Sequence, residues 1–228
     1  MKTTVISSFA EDRLIRENGV EARLGGPALF IKRFLEREGI PFNLVTGTKG
    51  VVEIDMRGNA EVGRIKDVAV AKEVPSKTEG LVLYSTILDE FPLKAIGNMN
   101  CVDVQGYVRD KDAFGKKRVF DSEELLRFDV IKGTWKEISF IPEALLRKDC
   151  VVIRTDGSNG FEISFNGETK KFSVEKVKCP ETIGAGDTFF AAFCTKYYKT
   201  KDIVISARYA AEKAKVFLEE KNVGGLKK

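Results

Sequence analysis

Apolar residues along this chain follow two alternating rhythms. The runs 4–8, 42–46, 81–84, 101–104, 130–132 and 151–155 are short and nearly continuous in apolar side chains, as expected of strands buried on both faces. Residues 28–38 instead carry Leu29, Phe30, Phe34 and Leu35 along one helical stripe, with Gly39 as a stop. Residues 187–197 and 202–220 also have the helical rhythm. Two further pairs of segments read as hairpins: 51–56 with 61–68 around Arg57-Gly58-Asn59, and 161–165 with 169–174 around Asn166-Gly167. Alternating strands and helices predict an α/β fold with a mostly parallel central sheet and helices on both faces. No repeat, low-complexity tract or linker interrupts the pattern, so residues 1–228 are expected to form a single domain. In such sheets ligands gather at the carboxyl ends of the strands, and the loops there are where chemistry is to be sought.

Composition narrows that search. The net charge is +4 with both signs mixed along the chain, which points to neither a nucleic-acid nor a membrane partner. The densest basic run, Lys116-Lys117-Arg118, reads as a solvated loop. No apolar stretch reaches the length of a membrane span, and the N-terminus offers no signal-peptide core, so a cytoplasmic location is expected. There is no histidine, which rules out His-based triads and leaves acid–base work to carboxylates, Lys, Tyr or Cys. The four cysteines, Cys101, Cys150, Cys179 and Cys194, form no CxxC pair, so a zinc site is not expected.

The most informative stretch is Glu181-Thr182-Ile183-Gly184-Ala185-Gly186-Asp187, followed by the apolar run Thr188-Phe189-Phe190-Ala191-Ala192-Phe193. Gly184, Ala185 and Gly186 allow close backbone approach, and their N–H groups at a helix start can form an anion-binding nest. Asp187 stands in the first turn beside it, where it could take a proton from an attacking hydroxyl. Glycine-rich turns before helices are common, and an acid in a first turn often only complements the helix dipole. The longer string decides between these readings. It resembles the C-terminal signature of the ribokinase, or PfkB carbohydrate kinase, family: Thr182, Gly184, Ala185, Gly186, Asp187, Ala191 and Ala192 fit, while Glu181 stands where the family usually has Asp.

The resemblance implies a ribokinase-like three-layer sandwich and an ATP-dependent phosphotransferase acting on a hydroxyl of a small sugar, polyol or nucleoside-like substrate. Asp187 would be the general base, with Gly184, Ala185 and Gly186 as the anion hole. Gly25 and Gly26 match a family pair that lets the acceptor lie against the backbone, and Asp12 is similar in place to a substrate-binding Asp. Asp103 and Arg109, on the loop Asp103-Val104-Gln105-Gly106-Tyr107-Val108-Arg109, would line the cleft, unless they simply pair with each other. Thr155, Gly157 and Gly160 of Thr155-Asp156-Gly157-Ser158-Asn159-Gly160, with Thr182, would hold the nucleotide. Glu137 keeps the Glu of the family's Asn-x-x-Glu motif, which acts through water on Mg²⁺, although Thr134 replaces the Asn. The family's substrate lid should be reduced here to a hairpin around residues 50–70. A homodimer is compatible with the resemblance, since that lid often forms the family's dimer interface. The alternative is a nucleotide-binding regulatory protein of the same fold without efficient transfer. A dinucleotide-dependent oxidoreductase is disfavoured, because no G-x-G-x-x-G follows the first strand.

Overall fold

The apolar runs become strands of one sheet. The computed structural model describes residues 2–57, 62–71, 73–110, 116–179 and 181–225. Strands β1 (Thr3–Ser7), β4 (Asn43–Val45), β7 (Leu81–Ser85), β8 (Met99–Asp103), β9 (Val130–Thr134) and β10 (Val151–Thr155) lie parallel. The hairpin β11 (Phe161–Phe165) and β12 (Glu168–Phe172) adds an antiparallel edge, giving the order β12-β11-β10-β9-β8-β7-β1-β4. Successive side chains on a strand point to opposite faces, and the apolar residues divide accordingly. Val5, Leu81, Leu83, Cys101, Val130, Val151 and Ile153 face one core, while Ile6, Val82, Tyr84, Val102, Ile131 and Val152 face the other.

The first core is closed by α1 (Pro27–Arg37), α3 (Ala185–Thr200) and α4 (Ile203–Gly225). Helix α3 is buried over most of its length: Phe190, Ala191, Ala192, Phe193 and Cys194 have no exposure, and Phe193 stacks on Tyr197 with ring centroids 5.6 Å apart. Its small alanines let it lie close to the sheet, which fixes where its N-terminus falls. The second core has a different cover. Only the short α2 (Trp135–Ile138) and 3-10 turns at Glu123–Arg127 and Glu143–Leu145 are helical there. Phe91, Leu93, Ile96, Tyr107, Phe128 and Ile141 from the connecting segments supply the remaining apolar surface. The expected three layers are present, but one outer layer is built mainly of irregular chain, because these segments have apolar residues without a sustained helical period.

The lid differs from expectation. In place of a single hairpin, a second sheet in the order β3-β2-β5-β6 is formed by β2 (Ala10–Arg16), β3 (Gly19–Gly25), β5 (Gly50–Asp55) and β6 (Val62–Asp67). Strands β2 and β5 are parallel, and the outer pairs are antiparallel. The β2–β3 pair is hard to see in sequence because Glu11, Arg13, Arg16, Glu21 and Arg23 interrupt its short apolar positions. In β2 the burial alternates, with Ala10, Asp12 and Leu14 inward, and Ala10, Leu14, Val52 and Ile54 form a small core with Ile87 of the main body. The turn at Arg57-Gly58-Asn59 lies partly outside the described residues.

Because Phe193 is fully buried between sheet and helices, Phe193→Ala should destabilise the fold by about 3–5 kcal/mol. Urea unfolding monitored by circular dichroism would measure this as a lowered midpoint with an unchanged slope.

Candidate active site

Polar residues that an apolar core would exclude are concentrated at the carboxyl ends of the parallel strands. Ser7 and Ser8, Ser85 and Thr86, Asp103, and Lys132 are all buried there. They lie beneath a cavity of about 740 Å³ that runs from the lid, at Asp12, Val52 and Ile54, across Asp187 to the loop after β10.

Asp187 is the third residue of α3, whose N-cap Gly184 has φ 92°. A side chain on Gly184 would collide with the ring of Phe30, at 2.3 Å from its Cδ1, so glycine here satisfies both the left-handed turn and the contact with α1. The Ala185 N–H is engaged by the Thr182 carbonyl at 3.0 Å. Gly186 and Asp187 belong to the first turn, where a helix has no carbonyl of its own to offer the N–H groups. The nest is therefore centred on Gly186 and Asp187 and opens into the cavity.

The Asp187 carboxylate accepts hydrogen bonds from Ser85 Oγ and Gln105 Nε2, both at 3.1 Å. Burial raises its pKa, and the charge of Asp103 raises it further. Lys132 and the two hydrogen bonds oppose the rise, leaving the group at about 7. Such a carboxyl can accept and release a proton near neutral pH.

Asp103 and Arg109 do not pair with each other. Asp103 is fully buried, is not part of the cavity wall, and accepts from Lys132 Nζ at 2.6 Å and from the Gln105 N–H at 3.2 Å. Its expected contact with substrate is corrected to a structural one: it anchors Lys132. Arg109 does line the cavity and donates to the Ile87 carbonyl. Glu137 also reaches the cavity, but both of its oxygens are engaged. Oε1 accepts from Lys117 Nζ at 2.9 Å, and Oε2 accepts from the Thr134 N–H at 2.8 Å in a capping box that starts α2. Burial alone would raise the Glu137 pKa, but Lys117 and Lys132 overcome it and hold the group at about 2. Lys117 therefore points inward, contrary to the solvated loop expected for its run. Among the described residues no cluster of three acidic, Cys or His side chains could hold a metal ion. Glu137 is engaged by the Lys117 ammonium, so a water-mediated contact with a nucleotide-borne Mg²⁺, as the resemblance implies, would have to compete with Lys117.

At the lid end, Asp12 lies against the glycine pair. A Cβ on Gly25 would fall 1.8 Å from Asp12 Oδ2, and one on Gly26, at φ 83°, would fall 2.6 Å from the Ala10 nitrogen. Gly26 borders the cavity and Gly25 lies behind it. Asp12 is buried, and its Oδ2 has no hydrogen-bond partner. Burial raises its pKa, against the charge of Arg23 and the Gly26 N–H. A buried carboxylate oxygen left unpaired is costly, and Oδ2 is turned toward Gly25, while Asp12 as a residue borders the cavity.

At the other end, Thr155, Gly157, Gly160 and Thr182 all border the cavity. Gly157 and Gly160 have φ 53° and 101°, and a Cβ on Gly160 would meet the Phe172 carbonyl at 2.2 Å. Beyond this loop, Val174, Val177, Ala207, Ala211 and Leu218 line an apolar slot.

Glu181, the residue that departs from the signature, is the centre of an ionic clasp. It accepts from Arg16 at 3.2 Å and from Arg23 of the lid, and from Lys221 of α4 at 2.6 Å. Lys221 also donates to the Ile183 carbonyl at 2.5 Å. The longer Glu side chain thus ties lid, signature turn and last helix together. Lys132, Lys117 and this clasp were not singled out by sequence reasoning. A lysine inside the apolar run of β9 was the one available signal, since a charge in a central strand needs a partner.

The fold is a ribokinase-like α/β architecture. Residues 140–227 match the family model of the pfkB family carbohydrate kinases. That match covers the C-terminal part of the chain, while the likeness in fold extends over its whole length. Solved structures agree with this fold. A pyrophosphate-dependent kinase in the ribokinase family, complexed with a pyrophosphate analog and myo-inositol, has a TM-score of 0.74 at 17% identity, covering 96% of this chain and 95% of that one. An uncharacterized sugar kinase from Pyrococcus horikoshii in complex with ATP has a TM-score of 0.72 at 16% identity, covering 95% and 92%. A ribokinase from Thermotoga maritima has a TM-score of 0.66 at 18% identity, covering 99% of each chain. No curated protein matches by sequence. Among the described residues no helix is long and apolar enough to cross a membrane.

The environment of Asp187 has a thermodynamic consequence. Its folded pKa of about 7 lies above the ordinary 3.8, so its contribution to stability is largest at low pH and falls as pH rises from about 4 through 7. Asp187→Asn should therefore be more stable than the wild type at pH 8, by about 2–4 kcal/mol, with little difference at pH 4. Urea midpoints at the two pH values measure this. A variant less stable at pH 8 would show that the carboxylate is held by its partners rather than strained by burial.

Proposed function

We propose that this protein transfers the terminal phosphoryl group of ATP to a hydroxyl of a small polyol, sugar or nucleoside-like molecule. The observation that carries the reading is the setting of Asp187: among the described residues it is the carboxylate at the nest that makes no ion pair, and its pKa is raised to about 7. In this reading the acceptor lies between Asp12 and Asp187 under the lid, with its hydroxyls directed at the Asp12 carboxylate. The attacking hydroxyl oxygen forms the new bond to phosphorus while its proton passes to Asp187. The old P–O bond breaks, and its electron pair leaves with ADP. The first-turn N–H groups of Gly186 and Asp187 stabilise the charge on the phosphoryl oxygens in transit.

ATP as donor is supported by the glycine loop of Gly157 and Gly160, by the apolar slot beyond it and by the neighbour solved with ATP. A polyol acceptor is supported by Asp12 and by the neighbour solved with myo-inositol. That neighbour's pyrophosphate dependence makes inorganic pyrophosphate the necessary second donor to assay. A cytoplasmic location, and a homodimer through the lid, remain part of the proposal.

The test is product formation with ATP or pyrophosphate against inositols, pentoses, hexoses and nucleosides, with magnesium supplied in the assay. Because the base must be ionised, kcat/KM should rise with pH and level off above about 7. Asp187→Asn should lose about 10²–10⁴-fold in kcat while still binding donor. A variant with near-normal turnover would remove Asp187 from the mechanism. Donor binding without transfer to any acceptor would favour the regulatory alternative.

A further inference from the structure

Lys132 is the buried charge that the reading above leaves unused. It comes from β9, in the middle of the sheet, and its side chain is only 5% exposed. Among the described residues its one hydrogen bond is to Asp103 Oδ2, which leaves two of the three ammonium donors uncommitted to them. The ammonium lies at the cavity wall directly against the nest: a Cβ on Gly186 would stand 3.2 Å from Lys132 Nζ. Gly186, unlike Gly184, is not at a positive φ. What glycine provides there is open space between the first-turn N–H groups and the ammonium.

The charges around this point explain why a cation is needed. Asp103, Glu137 and Asp187 all act on Lys132. A phosphoryl group entering the nest without Lys132 would meet acidic surroundings that its own negative oxygens oppose. If only structural balance were required, an apolar residue and no Asp103 would serve as well, because a buried ion pair is rarely better for stability than a packed apolar pair. Burial lowers the ammonium's pKa, but Asp103 and Glu137 outweigh it and keep the group protonated.

We propose that Lys132 is a catalytic residue. Its ammonium, fixed by Asp103, forms the sheet-side wall of the anion nest and donates to an oxygen of the phosphoryl group in transit. It gives up no proton. Its charge stays opposite the phosphoryl oxygens while the P–O bond to the leaving group breaks and the bond to the acceptor oxygen forms. This rests on the phosphotransfer reading, but its anion-binding part can be measured without turnover.

The experiment compares Lys132→Met, Lys132→Arg and the double variant Asp103→Asn/Lys132→Met, using inorganic phosphate as the binding probe in calorimetry and product formation as the kinetic one. Lys132→Met leaves Asp103 buried without its cation and is expected to unfold at lower urea. The double variant removes both charges and should recover much of that loss. Both should bind phosphate at least tenfold more weakly than wild type and lose on the order of 10²–10³-fold in kcat, with acceptor KM little changed. Lys132→Arg should retain most of the phosphate affinity. Wild-type phosphate affinity and turnover in the double variant would overturn the proposal, leaving Lys132 as the counter-ion of Asp103. No phosphate affinity in the wild type would overturn it as well. Phosphate binding that depends on Lys132, in a wild type that phosphorylates no acceptor, would support the anion site and count against the kinase reading alone.

Discussion

Charge pairing at the carboxyl end of the sheet is the constraint on which the site depends. Asp103, Glu137 and Asp187 approach one another at the top of an apolar core, where an unpaired carboxylate is costly. Lys132 neutralises Asp103 and Lys117 neutralises Glu137, which leaves Asp187 with two neutral donors, Ser85 and Gln105. That unequal division gives Asp187 its pKa near neutrality while Glu137 stays ionised. Two carboxylates on neighbouring elements are thus pushed in opposite directions by their partners, the pattern by which an acid–base group is separated from structural charges. The same division leaves Asp187 as a buried carboxyl whose raised pKa costs folding stability above neutral pH.

The position of Asp187 is set by packing over a long stretch of chain. Helix α3 is held by Phe190, Phe193 and the alanines between them, so its first turn has little freedom along the sheet. Phe30 of α1 closes on Gly184 from the other side and also contacts Phe217 of α4 edge to face. The Glu181 clasp then ties this turn to the lid through Arg16 and Arg23. Lid position and nest geometry are therefore linked by one carboxylate, held ionised by Arg23 and Lys221 despite its burial. Loss of the Arg16 and Arg23 contacts would leave the Glu181 carboxylate with Lys221 alone.

Much of this was legible in the sequence, for definite reasons. Strands buried on both faces give continuous apolar runs, and the central strands were placed within about a residue or two by pattern alone. The signature turn stood out through its resemblance to the ribokinase family, carried by Thr182, Gly184, Ala185, Gly186 and Asp187, and not through its glycines and acid alone. The four-stranded lid was not legible, because its strands bury only one face against a small core of Ala10, Leu14, Val52 and Ile54. Asp12 occupies an inward position that a pattern reading counts as polar. The roles of Asp103 and Glu137 depend on long-range partners. Lys132 is 29 residues from Asp103 and Lys117 is 20 from Glu137, and sequence spacing does not reveal which cation meets which acid.

The two ends of the cavity present different surroundings to a ligand. At the lid end, the Asp12 carboxylate and the Gly26 backbone present few polar groups beside the apolar Val52 and Ile54, a setting suited to a compact molecule with hydroxyls along one edge. Removing any hydroxyl that answers Asp12 leaves the carboxylate short of a donor, so discrimination there should come from the missing hydrogen bond more than from added bulk. At the far end, the backbone around Gly157 and Gly160 is joined by small side chains of α4 and by the charged Arg208, Glu212 and Lys215, so a bound donor would meet both shape and directional polar groups there. In the proposed reaction one phosphoryl group would be seated at the nest whichever donor supplies it, with Asp187 and Lys132 beside it.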